Sequence, residues 1–561
     1  MLQKLIFGIV FFLAPLLLCG GIFAQENNKF GIHLAQPHDD DLWKAQKLVN
    51  SNGGDWGYIT LVMQENDRDH TKWQNVFNML SDMHLIPIIR LATKPEGGNW
   101  KRPSKEDADG WASFLNGLHW VVKDRYIILF NEPNHASEWG GAVDPVNYAT
   151  VTKIFAQELK KKSDDFYLML AGLDASTPSQ KPLYEDEGYY LKDVIQTIGV
   201  QDFNTLFSGL SSHSYPNPGF IGSVEGTGKG SIRTYEWELD LLKQMGVKDL
   251  PVFITETGWD GEQLSRTLVG QNYQTAFQQV WLPDSRVQAV TPFILNYQSK
   301  PFLSFSFAKP GNSEYFPQYT ILQSMSKVKG NPTREIAGEV ICNLPGELVI
   351  NSAYRFSCDI KNTGQTVIQE KDGYTVRFGG VDSQTYFFSS FNPIKPLQTS
   401  SIDLYVKTGS ELKQKQTKIY LEKNGKTIGK PLEWEYKTIA LPSLKMKIDL
   451  YPKLHDSGSD FQLQVFDEKE QLVYKVDGVQ FSNKWGTIPA IYNIVFGKKY
   501  RVVLLKPYYL PRQEYVTFQK GENTVKFKMM YPLDFNRDGT FDFGDIVTVF
   551  QKPGLLNLFS F

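Results

Sequence analysis

Tyr126-Ile127-Ile128-Leu129-Phe130-Asn131-Glu132-Pro133-Asn134 is an apolar run that stops abruptly at polar residues. Apolar side chains suit a parallel strand covered on both faces, so Asn131 and Glu132 at its end must face something other than core. Val252-Phe253-Ile254-Thr255-Glu256-Thr257-Gly258-Trp259 repeats this pattern further along the chain. Strand-like runs of the same kind lie at 30–35, 57–63, 86–92, 126–131, 167–173, 207–212, 252–255 and 287–295. Amphipathic stretches alternate with them at 40–50, 72–83, 109–118, 145–161, 189–198, 232–245, 271–281 and 316–325. Eight such units over residues 29–327 predict a closed (β/α)8 TIM barrel of ordinary size. An open doubly wound sheet is the competing arrangement. It would show a Gly-rich phosphate turn after its first strand, and Phe30-Gly31-Ile32-His33-Leu34-Ala35-Gln36-Pro37 has none. On this count Glu132 and Glu256 end strands 4 and 7. Both then lie at the C-terminal rim, where barrels place their active sites.

The chain of 561 residues exceeds one core, so further domains are expected. With 59 Lys+Arg against 61 Asp+Glu, nothing favours nucleic acid or an anionic membrane surface as partner. At the N-terminus, Lys4 precedes an uncharged apolar stretch from Leu5 to Phe23, followed by Ala24-Gln25-Glu26-Asn27. That is the layout of a secretory signal over residues 1–24, with small Ala24 at the cleavage position. The stretch is also long enough to be a membrane anchor if left uncleaved. Export makes Cys342 and Cys358, the two cysteines beyond the leader, a candidate disulfide that would staple a domain. No CxxC or HExxH run suggests zinc.

After Lys329-Gly330-Asn331-Pro332 the texture changes to short alternating runs separated by Gly, Asn and Ser turns. Residues 335–438 read as an immunoglobulin-like β-sandwich, and 441–530 as a second, smaller one. Neither carries a cluster of acids or nucleophiles, so spacing, packing or carbohydrate contact are their expected roles.

Two carboxylates facing each other across a sugar suffice to cleave a glycosidic bond, and their separation decides between retention and inversion. The residues alone leave that choice open. Asn131-Glu132-Pro133 on strand 4 with Thr255-Glu256 on strand 7 resembles the paired signature of clan A retaining glycoside hydrolases. The resemblance covers residues 29–327. It implies Glu132 as acid/base, Glu256 as nucleophile and Asn131 as a partner of the sugar 2-hydroxyl, with a poly- or oligosaccharide as substrate and no cofactor for catalysis. It also implies that Tyr215, in Ser212-His213-Ser214-Tyr215-Pro216, holds Glu256 ionised by donating a hydrogen bond. Arg90 and His213, at the ends of strands 3 and 6, are further candidates for support. Clan members often end strand 8 with a Trp, but Pro292-Phe293-Ile294-Leu295-Asn296-Tyr297 has none. Tyr297 or Phe305 would take its place, with Trp259, Trp139, Trp100 and Trp56 as alternative sugar platforms.

Residues 531–561 hold a second motif. Asp534-Phe535-Asn536-Arg537-Asp538-Gly539-Thr540-Phe541-Asp542-Phe543-Gly544-Asp545 places oxygen ligands at loop positions 1, 3, 5, 9 and 12. Gly539 occupies the sharp turn and the Thr540 carbonyl fills position 7, which together can bind Ca2+. Asp at position 12 resembles the calcium loop of dockerins, which would imply a cohesin-type partner. Dockerins carry two such loops and one is found here, which weighs against that partner but not against calcium. The leading expectation is a secreted retaining glycoside hydrolase. Its rival is a non-catalytic carbohydrate-binding or surface-scaffold protein with an inactive barrel, which would have no need of the carboxylate pair.

Overall fold

The computed structural model describes residues 27–311, 313–379, 385–452 and 458–559. The expected leader at 1–24 lies outside them. Among the described residues, no helix is long and apolar enough to cross a membrane. The chain divides into two compact units, one ending at Arg334 and the other spanning Glu335–Phe561.

The first unit is built from eight parallel strands: β1 (Gly31–Leu34), β2 (Gly57–Gln64), β3 (Leu85–Ala92), β4 (Arg125–Leu129), β5 (Phe166–Leu170), β6 (Leu210–His213), β7 (Val252–Glu256) and β8 (Val287–Val290). Strands β1 to β5 pair in order, as do β6 to β8. Two thinner seams close the ring. Phe30 bridges to Val290 in parallel, and Ser208 N donates to Leu168 O at 2.9 Å. Helices α1 (Asp39–Val49), α2 (His70–Met83), α3 (Ala108–Gly117), α4 (Pro145–Lys162), α5 (Glu187–Ile198), α6 (Val200–Leu206), α7 (Thr234–Gln244), α8 (Arg266–Ala276) and α9 (Pro317–Ser324) occupy the intervals between strands and after β8. Their starts follow the local chemistry. Asp69, Asp144 and Ser265 cap α2, α4 and α8 by accepting backbone N–H groups, and Pro145 opens α4 where its missing N–H costs nothing.

Tyr58, Tyr126, Tyr167 and Phe253, each the second residue of its strand, meet inside the barrel with ring centroids 5.0 to 6.3 Å apart. This layer plugs the N-terminal half and leaves the C-terminal rim to polar side chains. Three strands stop earlier than their apolar runs. β8 ends at Val290 rather than 295, β5 at Leu170 rather than 173, and β4 at Leu129 because Phe130 turns into the left-handed region (φ 74°).

In the second unit two four-stranded sheets enclose a core containing Phe356, Ile360, Leu404, Leu421 and Trp434. Cys342 and Cys358 stand opposite each other in adjacent antiparallel strands, Gly338–Cys342 and Ala353–Asn362, and are joined by a disulfide. The following stretch differs from the expected second sandwich. Its strands pair as one continuous seven-stranded sheet, because Trp485–Ile488 pairs with Leu472–Ser482 on one edge and with Ser443–Lys447 on the other. Both stretches contribute to a single hydrophobic core. Tyr354 Oη donates to Ile494 O at 3.0 Å and Asn493 N donates to Ser352 Oγ at 3.0 Å, so the two stretches pack against each other within the second unit while sharing no sheet.

Candidate active site

At the end of β4 the chain turns twice within three residues, with Phe130 at φ 74° and Glu132 at φ 31°. Non-glycine residues take such backbone only where the surroundings over-determine it, and they do so most often at functional sites. Here Glu132 N donates to Gly172 O (3.3 Å), and the fully buried Asn134 ties the loop down. Its Nδ2 donates to Asp174 O (3.0 Å) and Glu185 O (3.2 Å).

Glu132 and Glu256 meet across the rim. Oxygens of the two carboxylates and a ring nitrogen of His213 all lie within 4.8 Å of one another. His213 Nδ1 stands 2.8 Å from Glu132 Oε1 and 3.8 Å from Glu256 Oε2. Burial opposes a charge on this imidazole, but Glu256 and Glu132 overcome it and raise the His213 pKa. The ring packs against bare backbone: a Cβ on Gly172 would lie 2.2 Å from His213 Cδ2.

Glu256 is buried and surrounded by donors. Arg90 Nη1 forms a short ion pair with its Oε1, Tyr215 Oη donates to Oε2 at 3.0 Å, and His33 Nε2 lies 3.7 Å from Oε1. Burial alone would raise its pKa, yet His213, Arg90 and His33 outweigh it and hold the carboxyl at about 2. Tyr215 is pushed the other way, by burial and by the two carboxylates, so it stays a phenol and a donor. His33 drops to about 3 through burial and the nearby Arg90, which leaves it neutral.

Asn131 is gripped at both ends of its amide. Arg90 Nη1 donates to its Oδ1 at 2.7 Å, and its Nδ2 donates to Glu138 Oε2 at 3.2 Å. Because Arg90 can only donate, the amide orientation follows from the chemistry of its neighbours.

Aromatic groups border the site. Tyr215, Phe293 and Ile294 form a small cluster, with Tyr297, Phe220 and Phe305 packed against it and partly exposed. Tyr297 meets Phe302 edge-on at 5.2 Å. Trp259 departs from its expected place as a sugar platform. It is 1% exposed, its Nε1 donates to Gly222 O (2.9 Å), and its ring packs on Tyr273, so it offers no face to a ligand. Trp139 and Trp56 are likewise buried, whereas Trp100 is half-buried beside Arg90, Asn131 and Glu138 around a small cavity.

Sequence reasoning thus brings Glu132, Glu256, Asn131, Arg90, His213 and Tyr215 to one place, with Tyr297 at its edge. It misses His33, Glu138, Asn134 and Gly172. The polar end of Gly31-Ile32-His33 on the first strand was a usable signal for His33; the other three lie in loops with no periodicity to flag them.

Fold and site together define a (β/α)8 barrel with a carboxylate pair at its C-terminal rim. No family model matches the chain, and no curated protein does. Among solved structures, similarity extends to an endo-beta-1,4-glucanase from Xanthomonas axonopodis pv. citri at 12% identity and TM-score 0.36, covering 53% of this chain and 98% of that one. A family 51 alpha-L-arabinofuranosidase from Bifidobacterium longum matches at 10% identity and TM-score 0.38, over 69% of this chain and 95% of that one. An endo-fucoidan hydrolase of glycoside hydrolase family 107 matches at 10% identity and TM-score 0.25, over 91% and 96%. At these scores the likeness assigns neither family nor activity.

Proposed function

We propose that the first unit is a retaining glycoside hydrolase acting on a poly- or oligosaccharide, with Glu256 as nucleophile and Glu132 as acid/base. The observation that carries this reading is the approach of the two carboxylates to within 4.8 Å at the ends of β4 and β7. Retaining enzymes set their carboxyl groups ~5–5.5 Å apart, whereas inverting ones leave ~6.5–9.5 Å for a water molecule.

The two environments suit two roles. Glu256, buried and held ionised, attacks the anomeric carbon as the bond to the leaving oxygen breaks. Glu132, whose side chain is 23% exposed, gives its proton to that oxygen. In the second step water attacks the same carbon, Glu132 takes its proton, and Glu256 departs as a carboxylate. Asn131 Nδ2 keeps one hydrogen for the sugar 2-hydroxyl, a contact that strengthens in the transition state. The partly exposed Tyr297 and Phe305 offer apolar edges to a sugar ring.

Two further proposals concern the rest of the chain. The Cys342–Cys358 disulfide suits an oxidising compartment and supports export behind the leader at 1–24. Ca2+ binds the loop Asp534–Asp545 through Asp534, Asn536, Asp538, Asp542 and Asp545 side chains and the Thr540 carbonyl. The fit rests on Asp534 Oδ1, which is buried without a partner, and on Gly539, whose φ of 86° makes the turn at position 6. Bound calcium would neutralise the loop and join its ends. The single loop packs on the sheet beside it, with Arg537 over the Tyr508 ring at 4.1 Å and Asp534 N donating to Tyr508 O. That contact favours an intramolecular staple over a cohesin-type partner.

The glycosidase reading is tested by turnover of 2,4-dinitrophenyl glycosides and of β-glucan, mannan, xylan and galactan, with product stereochemistry followed by NMR. Glu256→Gln is expected to abolish cleavage. Glu132→Ala is expected to retain activity on the activated glycosides and to form glycosyl azide of retained configuration when azide is added. Inverted product, or full activity of Glu256→Gln, overturns the assignment.

A further inference from the structure

The barrel holds a third carboxyl that the two-carboxylate mechanism does not use. Glu138 ends the short helical turn Ala136–Glu138 after β4, and the fully buried Trp139 anchors it from behind. Trp139 Nε1 donates to Asn147 Oδ1 at 3.1 Å and its ring meets Phe130 edge-on, so Glu138 is fixed to the same turn that positions Asn131 and Glu132. Its Oε2 accepts from Asn131 Nδ2, and it lines the small cavity shared by Arg90, Asn131 and Trp100.

We propose that Glu138 is a positioning residue of this site: with Arg90 it clamps the Asn131 amide from both ends. The inference rests on the glycosidase reading for its purpose, though not for its geometry. An amide held only by Arg90 at Oδ1 could swing its Nδ2 about that contact. Glu138 removes this freedom and leaves a single Nδ2 hydrogen directed elsewhere, where a substrate hydroxyl can take it.

Charged and titratable groups surround the carboxyl. Facing it are Glu132 from the end of β4, Glu256 from β7, Arg90 from β3 and His135 from its own loop. Burial and the neighbouring Glu132 raise the Glu138 pKa to about 7, against the opposing pull of Asn131 and Arg90. Near neutrality Glu138 therefore passes from acid to carboxylate.

Carboxyl-13C-labelled glutamate in the full chain reads this without any turnover. The expected result is a carboxyl titrating between about pH 6 and 8 that is lost in Glu138→Gln, a loss that separates it from Glu187 and Glu238, which burial also raises. No such resonance in the wild-type chain, or its persistence in Glu138→Gln, overturns the proposal. The clamp is read by kinetics on a 2,4-dinitrophenyl glycoside and its 2-deoxy analogue. Glu138→Leu is expected to lower kcat about tenfold on the parent with little change in KM, and to leave the 2-deoxy analogue unaffected. An equal loss on both overturns the clamp. A wild-type chain that cleaves no dinitrophenyl glycoside refutes the glycosidase reading instead, while the titration still judges Glu138.

Discussion

Tyr215→Phe isolates what holds the nucleophile ionised, because it removes one oxygen and leaves the ring. The ring keeps its edge contacts with Phe220 (5.1 Å) and Phe305 (6.1 Å), so packing is preserved. What is lost is one buried hydrogen bond, 3.0 Å long, to Glu256 Oε2. Hydrogen bonds to charged groups contribute roughly 1.5–3 kcal/mol, and one pKa unit corresponds to about 1.4 kcal/mol. The Glu256 pKa should therefore rise by about one to two units, starting from about 2. Because its folded pKa is depressed below the ordinary 4.5, Glu256 contributes stability above that value and loses it as pH falls toward about 2. In Tyr215→Phe that loss still begins at the ordinary value, but it should be smaller and complete at a higher pH. The assay is carboxyl NMR titration of Glu256, paired with the acid limb of kcat/KM on a dinitrophenyl glycoside, whose leaving group needs no proton from Glu132. A midpoint that moves by less than about 0.3 unit would refute the reasoning, since Arg90 and the histidines would then hold the carboxylate alone.

Gly172→Ala places a Cβ 2.2 Å from a ring that has nowhere to go. It should cost about 1–3 kcal/mol in thermal or urea unfolding and lower the His213 pKa as the ring leaves Glu132, which imidazole NMR would show. Chelation should detach the C-terminal loop. At Ca2+ one hundredfold above its Kd the loop gains about 2.7 kcal/mol, so unfolding of the second unit should shift upward with added Ca2+ and an unchanged transition counts against the site.

Much of the barrel was legible because two periodicities differ. Runs such as 57–63 and 86–92 are apolar on both faces, and the stretches between them bury one stripe, so eight alternations survive even where boundaries slip. The slips have a common cause. At 171–173 and 291–295 the chain stays buried after the regular strand ends, and its backbone bonds become irregular, as in Thr291 N to Ile254 O and Leu295 N to His33 O; Leu173 and Leu295 are buried outside any strand. Composition cannot distinguish those two kinds of burial. The second unit was harder. Lys426–Ile439 is its longest strand among the described residues, yet its outward residues are Lys, Glu and Thr, so only a broken apolar pattern marks it. Sheet continuity through Trp485–Ile488 depends on edge pairing between distant strands, which leaves no local trace.

The site was legible for a different reason: polar residues at the end of a doubly buried strand need a purpose. Glu138 shows the limit of that rule. It lies in a loop, where an acid is unremarkable, and only its neighbours reveal the cost of burying it there. Three carboxyls, from Glu132, Glu138 and Glu256, share one rim with Arg90, His213, His33 and His135. For a barrel that only binds sugar, this is an expensive arrangement, since like charges in a buried site must be neutralised or protonated. The expense makes sense if each group keeps a different proton state: Glu256 ionised, Glu138 on the edge of ionising, and Glu132 free to give and take a proton between them. Retention of all three is therefore the structural reason to look for turnover before binding.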